Sequence, residues 1–108
     1  MSKQKQKQID QYRGHYVLVN GHMAGLLAGR LLAIDTSIGA GMLAGARKIH
    51  YFTGSADVQG IGARGLDAGS RVTPVTEVNF FYDVEELIIC TAEAEASIVG
   101  YPEWTDFS

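Results

Sequence analysis

The sequence predicts an α+β fold: a small, mainly antiparallel sheet with two short helices, in a chain that forms a homo-oligomer. Three observations lead to this prediction. The first half contains three strand-like stretches with short turns, two later stretches begin with helix-capping residues, and 46% of the 108 residues are hydrophobic. A chain of this kind can bury one modest core, so we expect a single domain over residues 12–108 behind a flexible tail over residues 1–11.

The prediction of a tail rests on residues 1–10, which alternate Lys with Gln and contain almost no apolar side chain. Such a segment buries too little apolar surface to offset the entropy lost when it is ordered. Contact with nucleic acid is an alternative use of its lysines, but three positive charges favour it only weakly. A solubilising terminus is the simpler interpretation.

The three strands follow one another after this tail. Residues 15–20, HYVLVN, are rich in β-forming residues and lead into an Asn-Gly pair, a strong turn signal. Residues 23–35 are apolar with little alternation, as in a strand covered on both faces. Residues 36–52 supply the third extended stretch, whose three glycines suit close approach of strands or subunits. We therefore predict three antiparallel strands.

The first helix is predicted within residues 53–69, TGSADVQGIGARGLDAG. Thr53 or Ser55 can cap it, and Asp57 would lie in its first turn, where the helix dipole favours an acidic group. Each glycine inside a helix costs about 1 kcal/mol relative to alanine. We therefore expect a short helix that runs into a loop.

The last third of the chain predicts strand structure, a second helix and a docked end. Residues 75–83 and 85–90 fit one long strand with a bend or two separate strands. Thr91 is the expected cap of the second helix, because acidic residues follow it in the first turn. The closing aromatic residues are expected to pack onto the domain or to contact another subunit: Tyr101, Trp104 and Phe107.

Composition excludes several classes of protein. The apolar runs are too short and broken to span a bilayer, and the first eight residues lack the apolar core of a signal peptide, so we expect a cytoplasmic location. The single cysteine, Cys90, cannot form an internal disulfide and is expected to be buried and inert. We expect no metal and no cofactor, because the histidines lack metal-ligand spacing. They are His15, His22 and His50.

Charge is unevenly distributed along the chain. Residues 1–71 hold all nine Lys and Arg with four acids, a net charge of +5, whereas residues 72–108 hold eight acids and no basic residue, a net charge of −8. The first part can present a basic pocket to an anion, and the opposite charges can help copies of the chain associate. A chance distribution with a solvated acidic surface explains the pattern equally well.

The glycine-rich stretch contains G-x-G-x-x-G at Gly60, Gly62 and Gly65, the spacing of a dinucleotide-binding turn. That turn requires a strand directly before the first glycine and a helix that opens at the third. The nearest strand candidate ends at Phe52, and Asp, Gly and Pro follow Gly65, so the context argues against this role. Elsewhere no nucleophile combines with a base and an orienting group, and we expect no enzyme and no catalytic residue.

The remaining candidate site is GARKIHYFTGS, residues 45–55. Guanidinium groups and the amides at a helix start bind phosphate, and aromatic faces stack on nucleobases. An ordinary amphipathic strand, with Ile49 and Tyr51 inside, explains the same pattern. The stretch places two cations beside three ring-bearing residues, namely Arg47, Lys48, His50, Tyr51 and Phe52.

Three stretches, taken in order, resemble a small family of bacteriophage proteins. They are HYVLVNGHMAGLLAGRL, GARKIHYFTGSADVQGI and EVNFFYDVEELIICTAEAEASIVGYPEW, and they cover roughly residues 15–105. The middle stretch corresponds to a family pattern of the type N-A-R-R-I-W-Y-W-S-G-A. The last stretch matches the family ending C-T-x-x-A-x-x-S-I-x-x-x-P-x-W at Cys90, Thr91, Ala94, Ser97, Ile98, Pro102 and Trp104.

This family is similar to the phage Thoeris anti-defence sponges, and the resemblance implies capture of a nucleotide without turnover. Sponges sequester cyclic ADP-ribose-type signals made by bacterial TIR proteins, and some hold cyclic di- or trinucleotides. They are homo-oligomers built from dimers, with pockets near subunit boundaries. For this chain the resemblance implies a small nucleotide ligand, no membrane or nucleic-acid partner, and dimer-based assembly, with a hexamer as one arrangement, in the cytoplasm of an infected bacterium.

The basic-aromatic family block corresponds to residues 46–55 of this chain. Arg47 and the turn after Phe52 suit an anion, and Tyr51 or Phe52 suits adenine. Both tryptophans of the pattern are replaced, by His50 and Phe52, so the preferred nucleotide can differ. The resemblance and the spacing together give the expected ligand-binding residues as His22, Ala24, Gly25, Arg47, Lys48, His50, Tyr51, Phe52, Thr53, Gly54, Arg64 and Arg71. A phage structural or assembly protein that acts through protein–protein contacts is the alternative.

Overall fold

A long hairpin, formed by the second and third strands, is the frame of the fold. The computed structural model describes residues 3–21, 25–52 and 57–104. They form a small α+β fold with a mainly antiparallel sheet, as predicted, and with three short helices instead of two. The elements in chain order are α1 (Lys3–Asp10), β1 (Tyr16–Gly21), β2 (Gly25–Asp35), β3 (Ala40–Tyr51), α2 (Val58–Arg64), β4 (Arg71–Val72), β5 (Thr76–Phe81), β6 (Val84–Ile89) and α3 (Ala92–Val99).

The three predicted strands β1, β2 and β3 are confirmed, and they form the middle of the sheet. β2 pairs with β1 on one side and with β3 on the other, and all of these pairs are antiparallel. Beyond β1 the sheet ends in β6. Along the far side of β3, β4 pairs with its last residues and β5 with its first half. Because β2 is flanked by strands on both sides, it shows the continuous apolar pattern that the sequence displays.

The stretch predicted as one bent strand or two strands forms two, β5 and β6, which lie at opposite edges of the sheet. A flat sheet would separate those edges by about 19 Å, at about 4.8 Å per strand. Only Tyr82 and Asp83 link the strands, and such a link spans at most about 11 Å. The sheet must therefore curl enough to bring the end of β5 close to the start of β6, and the amide of Val84 donates to the carbonyl of Gly39 at the hairpin tip, at 3.0 Å.

Two hydrophobic clusters lie on the two faces of the curled sheet. The outer face is covered by α2 and α3, and its buried residues are Tyr16, Leu18, Leu26, Ala28, Ile49, Ile61, Val72 and Ile98. The inner face is covered by the sheet itself and by Ile9 of α1, and its buried residues are Val17, Val19, Leu27, Leu31, Ile34, Leu43, Ala46 and Phe81. Consecutive residues of β1 alternate between the clusters, as the pleat of a strand requires.

Caps fix the starts of α2 and α3. The carboxylate of Asp57 accepts from the amides of Gln59 at 2.9 Å and Gly60 at 3.2 Å, so Asp57 is the cap of α2 and not a first-turn residue. The alternative caps Thr53 and Ser55 lie outside the described residues. Thr91 caps α3 as predicted, because its hydroxyl oxygen accepts from the amide of Ala94 at 3.1 Å.

The N-terminal segment differs from the predicted flexible tail, since Lys3–Asp10 form the helix α1. Lys and Gln both favour helices, and one side chain attaches this helix to the domain. The amide group of Gln6 donates to the carbonyl of Ile34 and accepts from the amide and hydroxyl of Thr36, each at 2.8 Å. None of the helices in the described ranges is long and apolar enough to cross a membrane.

The chain end packs onto the domain, as predicted for Tyr101 and Trp104. Tyr101 packs against the outer cluster, and the amide of Trp104 donates to the carbonyl of Val72 at 2.8 Å. Phe107 lies outside the described residues. Cys90 is partly buried, and burial raises the pKa of its thiol to about 11, so it stays protonated at neutral pH.

Candidate functional site

The basic-aromatic stretch lies at the end of β3, where the strand changes partners. Ile49 pairs with Val72 and Tyr51 pairs with Arg71, so β3 holds one extra residue, His50, between these pairs. This bulge breaks the alternation of the strand. Ile49 is buried in the outer cluster, but Tyr51 is 52% exposed. The amphipathic interpretation that placed Tyr51 inside is therefore wrong at that residue.

Arg47 is a buried residue that joins three parts of the chain. It is 4% exposed. Its Nε donates to the carbonyl of Thr73 at 2.9 Å, and its Nη1 donates to the carbonyls of Ile98 at 2.8 Å and Tyr101 at 2.6 Å. The last two acceptors lie at the C-terminal end of α3, where the helix dipole favours a cation. The sequence predicted that Arg47 binds an anion, but most of the N–H groups of Arg47 already donate hydrogen bonds to backbone carbonyls.

Lys48 points to the other face of β3. Its strand partner is Leu27 of the inner cluster, and its side chain passes over Gly25, where a Cβ would lie 3.5 Å from the lysine Cε. A cavity of about 470 Å³ lies at this edge of the sheet. Its lining residues are Leu27, Ala46, Arg47, Lys48, Thr73, Pro74, Thr76, Asn79 and Phe80. Lys48 thus lies apart from the aromatic residues with which the sequence grouped it.

Four side chains form a cationic–aromatic cluster: His50, Tyr51, Arg71 and Trp104. The rings of His50 and Trp104 are stacked, with centroids 5.3 Å apart and planes 10° apart. The guanidinium carbon of Arg71 lies 5.0 Å from the centroid of Trp104 and 5.7 Å from that of Tyr51. Arg71 is therefore attracted to the negative faces of two rings. Strand pairing brings Arg71 to Tyr51, and the docked chain end brings Trp104 to Arg71 and His50.

An open cavity of about 560 Å³ adjoins the cationic–aromatic cluster, a volume typical of small-molecule sites. Trp104 forms one wall, and Tyr101 is held by a hydrogen bond from its hydroxyl to the carbonyl of Asp67 at 3.1 Å. Glu103 contributes a carboxylate. The lining residues are Ala68, Gly69, Ser70, Tyr101, Pro102, Glu103 and Trp104. Trp104 and Glu103 therefore line the concavity, and the guanidinium of Arg71 lies against the Trp104 ring outside that lining.

The other predicted ligand-binding residues are dispersed. Gly25 begins β2 with a φ of 78°, Phe52 packs against the outer cluster, and Arg64 is exposed in the last turn of α2. The amides at the start of α2, predicted to bind an anion, are instead held by the Asp57 carboxylate. Four further predicted residues lie outside the described residues: His22, Ala24, Thr53 and Gly54.

The glycines of the G-x-G-x-x-G motif serve helix packing. A Cβ on Gly62 would lie 2.6 Å from Cγ2 of Ile88, and one on Gly65 would lie 2.3 Å from Cβ of Ser97. Gly65 also ends α2 with a φ of 93°, a conformation that favours glycine. The motif thus lets α2 approach β6 and α3 closely. No strand leads directly into it in the described ranges, in agreement with the rejection of a dinucleotide fold.

Sequence reasoning missed Trp104 as a site residue, although it predicted that Trp104 packs onto the domain. The sequence contained a signal for this residue, because Trp104 is the only tryptophan of the chain and lies in an aromatic end segment. Tyr16 gave no such signal in the sequence, since its burial depends on strands and helices distant in the chain.

A comparison with known protein families matches most of this chain. No curated protein and no solved structure matches the chain. Residues 14–98, from the start of β1 to the last turn of α3, match DUF6948, a domain of unknown function. This match covers most of the 108 residues and nearly all of the sheet. The chain therefore belongs to the DUF6948 family.

Proposed function

We propose that this protein binds and sequesters a small nucleotide signal, either a cyclic ADP-ribose isomer or a cyclic oligonucleotide, without cleaving it. The observation that carries the proposal is the contact of Arg71 with the rings of Tyr51 and Trp104, the second of which lines the open cavity. A guanidinium that contacts rings through its face keeps its N–H edge free for a phosphate. The rings thus offer a stacking surface to the base and the guanidinium offers donors to the phosphate, so one cluster contacts both parts of a nucleotide.

Each group of the cluster has a role in this proposal. Tyr51, with half of its side chain exposed, offers a face on which a base stacks, which contributes about 1–3 kcal/mol. Arg71 holds a phosphate through charge-assisted hydrogen bonds. The carboxylate of Glu103 accepts from ribose hydroxyls or base amino groups and repels phosphate, which sets the orientation of the ligand. No step of this binding requires a nucleophile or a general base.

The resemblance to phage sponges supports the biological part of the proposal: an anti-defence protein that acts in the cytoplasm of an infected host, as a homo-oligomer built from dimers. The surface of β5 supports self-association. Val78, Phe80 and the adjoining Tyr82 are 43%, 60% and 64% exposed, and β5 pairs only with β3 among the described strands. An exposed apolar edge strand favours pairing with another chain.

Fluorescence of Trp104 tests the proposal directly, because the chain has no other tryptophan. We expect at least one ligand among cyclic ADP-ribose isomers, cyclic dinucleotides and cyclic trinucleotides to change the emission and to bind with submicromolar affinity in calorimetry. Heat denaturation should release that ligand chemically intact. The proposal fails if none of these compounds binds, or if the bound compound is recovered hydrolysed.

Substitution of Arg71 localises the site. Arg71→Ala should weaken binding of the ligand found in this screen by about 10- to 150-fold, the equivalent of about 1.5–3 kcal/mol for hydrogen bonds to a charged group. Arg13→Ala is the matched control, since Arg13 is an exposed arginine of the N-terminal region, paired with Asp10. Equal weakening by both substitutions would indicate non-specific attraction between charges.

A structural or assembly role in the phage particle is the second candidate, and the exposed apolar residues of β5 favour it. Mass spectrometry of purified virions separates the two functions, because a sequestering protein need not be packaged. Stoichiometric presence in particles, together with no nucleotide binding, would establish the assembly role. Phe80→Glu should then reduce incorporation into particles, whereas Tyr12→Glu, an exposed position outside β5, should not.

A further inference from the structure

Tyr16 lines a small cavity on the outer face of the sheet. The residue is 4% exposed, and its hydroxyl is buried without a hydrogen-bond partner among the described residues. Buried polar groups in folded proteins nearly always have a partner, which an ordered water or a bound ligand can supply. The cavity measures about 210 Å³, several times the volume of a water molecule. Its lining residues are Tyr16, Arg30, Ala44, Gly45, Arg47, Val75 and Val99.

The wall of this cavity also carries a buried positive charge. The Nε and Nη1 of Arg47 hold backbone carbonyls, whereas its Nη2 donates to no described residue. Carbonyl dipoles do not neutralise a full charge, and no carboxylate of the described residues forms an ion pair with Arg47. Arg30 adds little net charge, because it is paired with Glu95 at 2.6 Å. The surroundings of Tyr16 therefore favour an anion.

Tyr16 is a permanent donor in this setting. Burial raises the pKa of its hydroxyl to about 12, and the neighbouring Cys90 adds to this effect. The hydroxyl therefore carries its proton at neutral pH. Gly45 leaves the wall open, because a Cβ at that position would meet no atom within 4 Å. A ligand in the cavity is thus close to hydrogen-bond donors and to the positive charge of Arg47, and these are the groups that bind phosphate or sulfate.

We propose that this cavity binds a phosphate-type oxyanion, which accepts hydrogen bonds from the hydroxyl of Tyr16 and the Nη2 of Arg47. The site is separate from the cationic–aromatic cluster and goes beyond the proposed function. Free phosphate and the phosphoryl group of a nucleotide present the same oxygens to these donors. Both sources are therefore compared in the experiment.

The test is a titration with inorganic phosphate at constant ionic strength, measured by calorimetry and by the thermal unfolding midpoint. Wild-type protein should bind phosphate and unfold at a higher temperature in its presence. Tyr16→Phe, which removes one oxygen atom, should weaken binding at least about tenfold, the scale of a hydrogen bond to a charged group. Tyr12→Phe is the control and should bind like wild type, because Tyr12 is 38% exposed and does not line this cavity.

Each outcome decides the proposal. Absence of phosphate binding at millimolar concentration, or equal affinity of the wild type and Tyr16→Phe, would overturn it. Competition by adenosine 5′-monophosphate would identify a phosphoryl subsite, and binding of phosphate alone would identify a site for the free ion. A midpoint for Tyr16→Phe in phosphate-free buffer that matches the wild type shows that the variant folds. Emission of Trp104 reports the other site, so failure here leaves the proposed function untouched.

Discussion

Arg47 shows how a single residue can hold a small domain together. It lies in β3, but its acceptors are Thr73, Ile98 and Tyr101, which are 26, 51 and 54 residues away along the chain. The same guanidinium therefore fixes the approach to β5, the end of α3 and the start of the C-terminal segment. Without it, the buried carbonyls of these segments would lose their donor, and leaving such groups unsatisfied is unfavourable.

We therefore expect Arg47→Met to lower the free energy of unfolding by about 2–4 kcal/mol, although methionine retains most of the apolar stem. Urea denaturation followed by circular dichroism measures this change. Arg13→Met is the control and should change stability by less than about 0.5 kcal/mol, because Arg13 forms only an exposed ion pair with Asp10. A small effect of Arg47→Met would mean that water replaces the guanidinium without loss.

At the scale of the element, the glycines of α2 lower its intrinsic helix propensity but allow the helix to pack closely against its neighbours. Gly62 lowers helix propensity by about 1 kcal/mol relative to alanine, yet its missing side chain lets α2 lie directly against Ile88 of β6. Thr91 strengthens the arrangement, since its hydroxyl donates to the carbonyl of Ala63 at 2.8 Å. Packing of α2 against its neighbours outweighs its poor propensity.

Gly62→Ala should consequently destabilise the protein by about 1–2 kcal/mol, because overpacking against a β-branched side chain exceeds the gain in propensity. In an Ile88→Ala background the same substitution should be neutral or stabilising by up to about 1 kcal/mol. Ala63→Gly, on the exposed side of α2, calibrates the propensity change alone. Chemical denaturation of this set gives the coupling energy, and additive effects of Gly62→Ala and Ile88→Ala would contradict close packing.

At the scale of the whole molecule, the features that could not be predicted from the sequence are those that depend on contacts between segments far apart in the chain. The strands β1 to β3 and the cap at Thr91 were predictable, because turn pairs, apolar runs and capping residues act over a few positions. The placement of β5 and β6 at opposite edges was not, since it depends on the curl of the entire sheet. The same reason explains the site: Tyr51 and Arg71 were named from the sequence, but their grouping with Trp104 depends on where the C-terminal segment docks.

The core should also set the alkaline limit of stability. Burial raises the pKa of Tyr16 from 10.0 to about 12 and that of Cys90 from 9.0 to about 11. The unfolded chain therefore loses these protons first, so the free energy of unfolding should be constant below about pH 9 and fall as pH rises toward 12. At about 1.4 kcal/mol per pKa unit, the loss is on the order of 3 kcal/mol for the buried Tyr16, and it is smaller for the partly buried Cys90 because water screens its charge.

Urea denaturation at pH 8 and pH 11 measures this loss in the wild type and in the double variant Tyr16→Phe with Cys90→Ala. We expect a much smaller decrease in the variant, because neither of its replacement side chains titrates. An equal decrease in both proteins would place the alkaline instability elsewhere. Ionisation of one tyrosine near the centre of the outer cluster would then not limit the stability of the whole fold.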